Sequence, residues 1–204
     1  MLSIRRSTSS SLGVSPVSNT DFSDFHETEA FQPTMLALSH FAIQWNWAEH
    51  SFNVLLWQYV GDMQTGAMYT AGLGNQSRAD TLLALARKKE KNKDVINKIE
   101  FVASVFGKLK SNRNSLLHAH SIHKYEDEEK PRWIRASNNP KSVHIYCHAD
   151  NSDVTHNFMW ASALGNCLLE LIVYYTGTDK TPPSFERFPE PKVLLPIPIQ
   201  FPEP

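Results

Sequence analysis

The residues best suited to chemistry lie in one short run, Ser111-Asn112-Arg113-Asn114-Ser115-Leu116-Leu117-His118-Ala119-His120. A histidine, with an unperturbed pKa near 6.5, takes or gives a proton close to neutral pH, which makes His118 the candidate proton carrier. Arg113, planar and always protonated, can hold a phosphate bidentately and stabilise the charge that gathers on a phosphorane-like transition state. Asn114 can orient either that phosphate or the guanidinium through its amide. A proton carrier beside a fixed cation can do acid–base chemistry at an anionic group without a metal. The competing account of the same residues is a structural arginine bonded to helix ends and a histidine at a packed interface.

The run closes a helix. From Asp94 onward, Val95, Ile99, Val102, Phe106 and Leu109 form an apolar stripe whose continuation falls on Arg113, then Leu116 or Leu117, then His120. A permanent cation at a core position needs a partner, because an unpaired buried charge is heavily penalised. Glu49, flanking the stripe of the first helix, is the candidate supporting partner for Arg113, against the simpler reading of a solvated helix carboxylate. His120 falls on the stripe as a second supporting residue, and both it and His50 read as satisfied, partly buried histidines. On one uninterrupted helix Arg113 and His118 point about 140° apart. They converge only if the helix breaks near residues 111–114 or if the two groups come from two subunits across a two-fold axis.

With four residues between the arginine and the histidine, Arg113-Asn114 and His118 resemble the signature of the HEPN superfamily. Those helical-bundle proteins are marked by an Arg, usually followed by a polar residue, and a His a few positions on. The resemblance covers the helical core, roughly residues 34–177. It implies a metal-independent endoribonuclease that acts on RNA as a homodimer, with Arg113, His118 and Asn114 as catalytic residues and no cofactor. It also implies a cytoplasmic toxin or antiviral defence protein, with an antitoxin or activator protein as a further partner. Members that have lost catalysis imply the alternative, a non-catalytic helical module binding RNA, a nucleotide or a protein.

Four amphipathic helices must position the motif. Pro33 and Thr34 open the first, whose stripe is Leu38, Phe41, Trp45, Ala48, Phe52, Leu55 and Tyr59, ending near Gly61. Gly66, Gly72 and Gly74 make the next stretch a loop or broken helix before Ser77, with Asp80 three residues on, caps the second. The third carries the motif. Asn151 to Asp153 cap the last, which runs through Val154, Phe158, Ala161, Leu164, Leu168, Ile172 and Tyr175 to Gly177. Trp133 to Ala136 and Val143 to Cys147, around Ser137-Asn138-Asn139-Pro140, read as a hairpin. The expected fold is therefore all-α, an antiparallel four-helix bundle with a small β-hairpin at about 132–148 inserted between the last two long helices. Residues 1–30 read as a disordered arm, 31–178 as the domain, and 179–204 as a Pro-rich tail, extended and either packed on the bundle or free.

Composition agrees with one globular domain: 204 residues, 41% hydrophobic and 20% charged, which excludes a collagen-like, coiled-coil or wholly disordered chain. The net charge of −1 hides a basic middle, with eleven Lys/Arg against four Asp/Glu between Arg78 and Lys124. Such a segment can attract a polyanion, although its densest part, Arg87 to Lys93, also reads as a solvated helix end. Only Cys147 and Cys167 are present, which suggests reduced thiols and an intracellular protein. No secretory leader or membrane span is expected, the stretch Met159 to Tyr175 reading as a buried bundle helix. His118, His120, His123, His144 and His148 lack a zinc spacing, so no metal site is expected. No phosphate-cradling glycine loop, serine elbow or CxxC motif is present.

Overall fold

In the computed structural model, residues 31–123, 129–137, 144–178 and 180–199 are described; the arm expected over 1–30 and the centre of the expected hairpin turn, 138–143, lie outside them. Helix α1 (Phe31–Val60) buries its expected stripe: Phe41, Trp45, Ala48, Phe52, Leu55 and Tyr59 are all fully covered, and Leu38 half covered. Pro33 sits in the first turn, where its missing N–H has no intrahelical acceptor to lose. Gly61 ends the helix with φ 140°, a conformation that an L side chain rarely adopts.

The glycine-rich stretch contains a short helix, α2 (Met63–Thr70), whose N-cap Asp62 accepts from the Thr65 N–H at 2.7 Å. It folds back onto α1 because Gly66 has no side chain: a Cβ there would lie 2.6 Å from Trp57 Cβ. The Trp57 indole N–H donates to the Thr70 hydroxyl at 2.8 Å. Helix α3 (Asn75–Lys89) starts after Gly74 and not at Ser77. The earlier start follows from Asn75, whose side-chain amide donates to Glu49 on α1 at 3.1 Å and ties the first turn down.

Helix α4 (Lys93–Leu117), capped by Asn92, buries Val95, Ile99, Val102, Phe106 and Leu109 as expected. Beyond Leu109 the buried positions are Asn112, Ser115 and Leu116, so the core stripe passes through Asn112 and leaves Arg113 on its edge. Helix α5 (Asn151–Thr176) opens with a capping box between Asp150 and Asp153 and exits at Gly177. Among the described residues it is the one helix long and apolar enough to cross a bilayer, and it packs along α1 and α4.

The bundle is not uniformly antiparallel. His40 meets Phe158 at a tilt, Trp47 lies over Gly165 and Tyr59 meets Tyr175, an ascending order that makes α1 and α5 parallel neighbours. Helix α4 runs against both, with Phe106 stacked on Phe52 at 4.2 Å and Asn112 near the start of α5. The return leg that a four-helix alternation needs is supplied by the short α2.

The hairpin is the centre of a larger sheet. Strands β1 (Ser121–His123), β2 (Arg132–Ala136), β3 (His144–His148) and β4 (Ile197–Pro198) pair antiparallel in that order, with Trp133 opposite Cys147. Trp133 and Cys147 are buried against the helices. Strand β4 comes from the Pro-rich tail, which is packed along the molecule. Glu170 accepts from the Ser184 and Phe185 N–H groups at 2.8 and 3.1 Å, Phe188 meets Phe101 edge-on, and Lys108 pairs with Glu190. The buried Asn112 side chain donates to Lys192 O at 2.8 Å and accepts from Leu194 N–H at 2.8 Å. Two-residue pairing in a proline-rich tail leaves no alternating pattern to read, which is why β4 was not expected.

Candidate active site

The last turn of α4 carries Arg113 and Asn114, and His118 is the residue at which the helix stops. At φ −102° and ψ 7° His118 has left helical geometry, so the rotation of about 100° per residue no longer governs its ring. The ring turns back beneath the preceding turn and the long Arg113 side chain reaches it. Arg113 Nη1 lies 2.8 Å from His118 Nε2 and 3.1 Å from Asn114 Oδ1. Neither expected route is taken: α4 runs unbroken through residues 111–114, and it is the exit of the chain from the helix at His118 that lets the side chains meet. The two groups converge within one chain.

A guanidinium only donates, so Nε2 of His118 accepts and the ring proton of the neutral imidazole resides on Nδ1. Partial burial of the ring, followed by the positive charges of Arg113 and Arg135, pushes the His118 pKa below its ordinary 6.5. His118 is thus held neutral near pH 7, the form a general base requires. Asn114 and His118 together accept both protons of Nη1, which fixes the guanidinium plane. The Nε–H of Arg113 is buried without an acceptor, so the resting arrangement leaves one of its donors unsatisfied.

Glu49 does not pair with Arg113. Its two oxygens accept from Trp45 Nε1 and Asn75 Nδ2, each at 3.1 Å, and thereby join α1 to α3. The carboxylate faces the α3 side of α1, where Arg78 donates to Asn53 one turn on. His120 is not on the α4 stripe either: the helix has ended, its backbone N–H donates to Ile134 O at 2.9 Å, and its ring is exposed and lies 5.3 Å from that of His144.

Arg135 is the residue that the motif search missed. Alternation along β2 puts it on the same face as buried Trp133, opposite Ile145. An inward-facing arginine in a five-residue strand was the available signal. Asn112 was missed for the opposite reason, since a polar residue next to a stripe looks like surface.

The basic middle of the chain does not converge on this site. Arg87 pairs with Glu100, thirteen residues and therefore about 20 Å along α4 from Arg113. Lys89 donates to Tyr59 O, Lys98 pairs with Asp94, and Lys108 holds the tail through Glu190. Both cysteines are buried thiols, which burial pushes up to a pKa of about 11. Among the described residues no group of three or more His, Cys, Asp or Glu side chains is disposed to hold a metal ion. No protein-family model, no curated protein and no solved structure matches the chain.

Proposed function

We propose that the protein is a metal-independent endoribonuclease whose site is Arg113, Asn114 and His118, the observation that carries it being the 2.8 Å contact between guanidinium and imidazole at the open end of α4. A phosphodiester entering the site offers Arg113 a full negative charge in place of a neutral ring nitrogen. The guanidinium moves to it, and His118 Nε2 is freed as a base. The base takes the proton of the 2'-hydroxyl, the 2'-oxygen bonds to the adjacent phosphorus, and the bond from phosphorus to the 5'-oxygen breaks. The products are a 2',3'-cyclic phosphate and a 5'-hydroxyl, the leaving oxygen being protonated by water. Single-stranded or looped RNA is the expected substrate because only unstacked backbone bends for in-line attack. The likeness of Arg113-Asn114 and His118 to the HEPN signature supports the same reading, and with it a homodimer, a cytoplasmic toxin or defence role, and control by an antitoxin or activator protein.

The same contact favours a second reading. With Arg113 seated on Nε2 the base is masked, and a ligand that fails to draw the guanidinium away is bound and not cut, as in a non-catalytic binding module. Digestion of RNA in excess EDTA with end-group analysis separates the two. The wild-type chain should leave cyclic phosphate ends, and His118→Ala and Arg113→Ala should each slow cutting by roughly 100- to 1,000-fold, the effect of removing one proton carrier or one electrostatic stabiliser. Activity that needs a metal, or 5'-phosphate products, would overturn the mechanism. Intact RNA in all samples, with binding retained, would establish the module.

A further inference from the structure

We propose that the outer face of the sheet is a stacking track that leads a single-stranded segment of RNA to His118; this rests on the ribonuclease reading above. Strand β3 reads His144-Ile145-Tyr146-Cys147-His148, and strand alternation sends every ring to one face while Cys147 is buried on the other. Tyr146 and His148 lie with ring centres 5.3 Å apart, and His144 lies 5.3 Å from His120, two residues past His118. From β2 the Arg132 guanidinium sits 4.6 Å from the centre of the Tyr146 ring. Opposite His144 on β2 stands the small, exposed Ala136, while on its other side the Ile199 N–H of the tail donates to His144 O. On the other flank of Tyr146, Ile197 of β4 adds an exposed apolar shelf. Planar groups therefore recur over the five residues of β3, a run of about 13 Å.

The charge of the face selects the occupant. The residues that alternation puts on this face include Arg132, His144 and His148, and none of the four strands contains a carboxylate. Rings interleaved with cations are how proteins hold unpaired nucleotides without reading their identity, since every base offers a π face and every linkage a negative charge. A duplex covers those π faces by its own stacking and gains nothing from the rings. The track also has a direction. The His144 end adjoins His120 and the α4 terminus. A strand lying on β3 is thus led toward the Arg113 and His118 pair.

The test is binding of a fluorescein-labelled 2'-O-methyl oligouridylate, which the proposed chemistry cannot cut, measured by anisotropy beside the same strand in a duplex. Wild type should prefer the single strand. Tyr146→Ala should bind it about tenfold more weakly, the loss expected for one stacked base, while Tyr146→Phe should bind as wild type. Tyr146→Leu, which keeps apolar volume and removes the ring, replaces the alanine variant if that one fails to fold, and should lose affinity to a similar extent. Equal binding by wild type and the ring-less variant would overturn the track and leave the ribonuclease reading standing. Absence of any RNA binding by wild type would overturn both.

Discussion

A neutral imidazole beside two arginines sets the pH behaviour of the site. Partial burial and the charges of Arg113 and Arg135 oppose protonation of His118, so its proton is lost at a pH below 6.5 and the base form prevails at neutrality. Removing a cation must raise that pKa. In an NMR titration of the His118 ring the midpoint should fall below 6.5 in wild type and move upward in Arg135→Ala, and the acid limb of the cleavage rate should move upward with it. An unchanged midpoint in that variant would mean that burial and Arg113 lower the pKa without Arg135, which then has no part in the site. Residue types and spacing were enough to single out Arg113, Asn114 and His118, because few side chains can supply a proton carrier and a fixed cation. Their convergence was not readable, since it depends on the chain leaving the helix at His118. Nor was the fate of Glu49: periodicity places it at the flank of the α1 stripe, but only the packed bundle decides that Asn75 and not Arg113 lies across from it.

The elements show where a polar residue beats the pattern. Along α4 periodicity would bury Arg113, yet the buried residue is Asn112, because an amide can satisfy four hydrogen-bonding positions inside the fold and a guanidinium at the edge keeps access to ligand. Asn112 donates to Asn157 Oδ1 on α5 at 2.7 Å and clamps the tail through Lys192 and Leu194, so one side chain ties α4, α5 and the segment leading to β4. Asn112→Ala should therefore cost about 2 to 4 kcal/mol, since it leaves buried groups on two other segments without partners. Urea unfolding should read that loss as a lower midpoint, accompanied by faster proteolysis of the tail. A midpoint within about 0.5 kcal/mol of wild type, the range of ordinary surface changes, would show that water replaces the amide and that the clamp is incidental. The long helices were legible because their stripes repeat over many turns, as in Phe41, Trp45, Ala48 and Phe52. Strands β1 and β4 were not, because three and two residues carry no period and their pairing is fixed by tertiary contact.

At the scale of the whole molecule the unusual surface is the parallel pair α1 and α5. In thirty residues α1 has one formal charge, the half-buried Glu49, and α5 has only Asp153 and Glu170, occupied by its N-terminal cap and by the tail. Ile43, one turn before Trp47, and Met159 stand 63% and 57% exposed, and Val173, two turns past Gly165 and beside the tail, 61%. An uncharged, self-similar apolar face offers nothing for a charged partner to recognise and is suited to a second copy of itself across a two-fold axis. Helix α4 has no exposed large apolar residue, its sides being covered by α1, α3, α5 and the tail. The proposed homodimer therefore belongs to the α1 and α5 face. Light scattering should give about twice the 23.2 kDa chain mass, and Ile43→Glu with Val173→Glu should return it to one. Because Arg113 and His118 meet within a single chain, the monomeric variant should still cut RNA, with its loss confined to affinity for long substrates that span both copies. A variant that is monomeric, folded and wholly inactive would instead require the second chain to complete the site, and a wild-type chain that stays monomeric at tens of micromolar would leave the apolar face to some other partner.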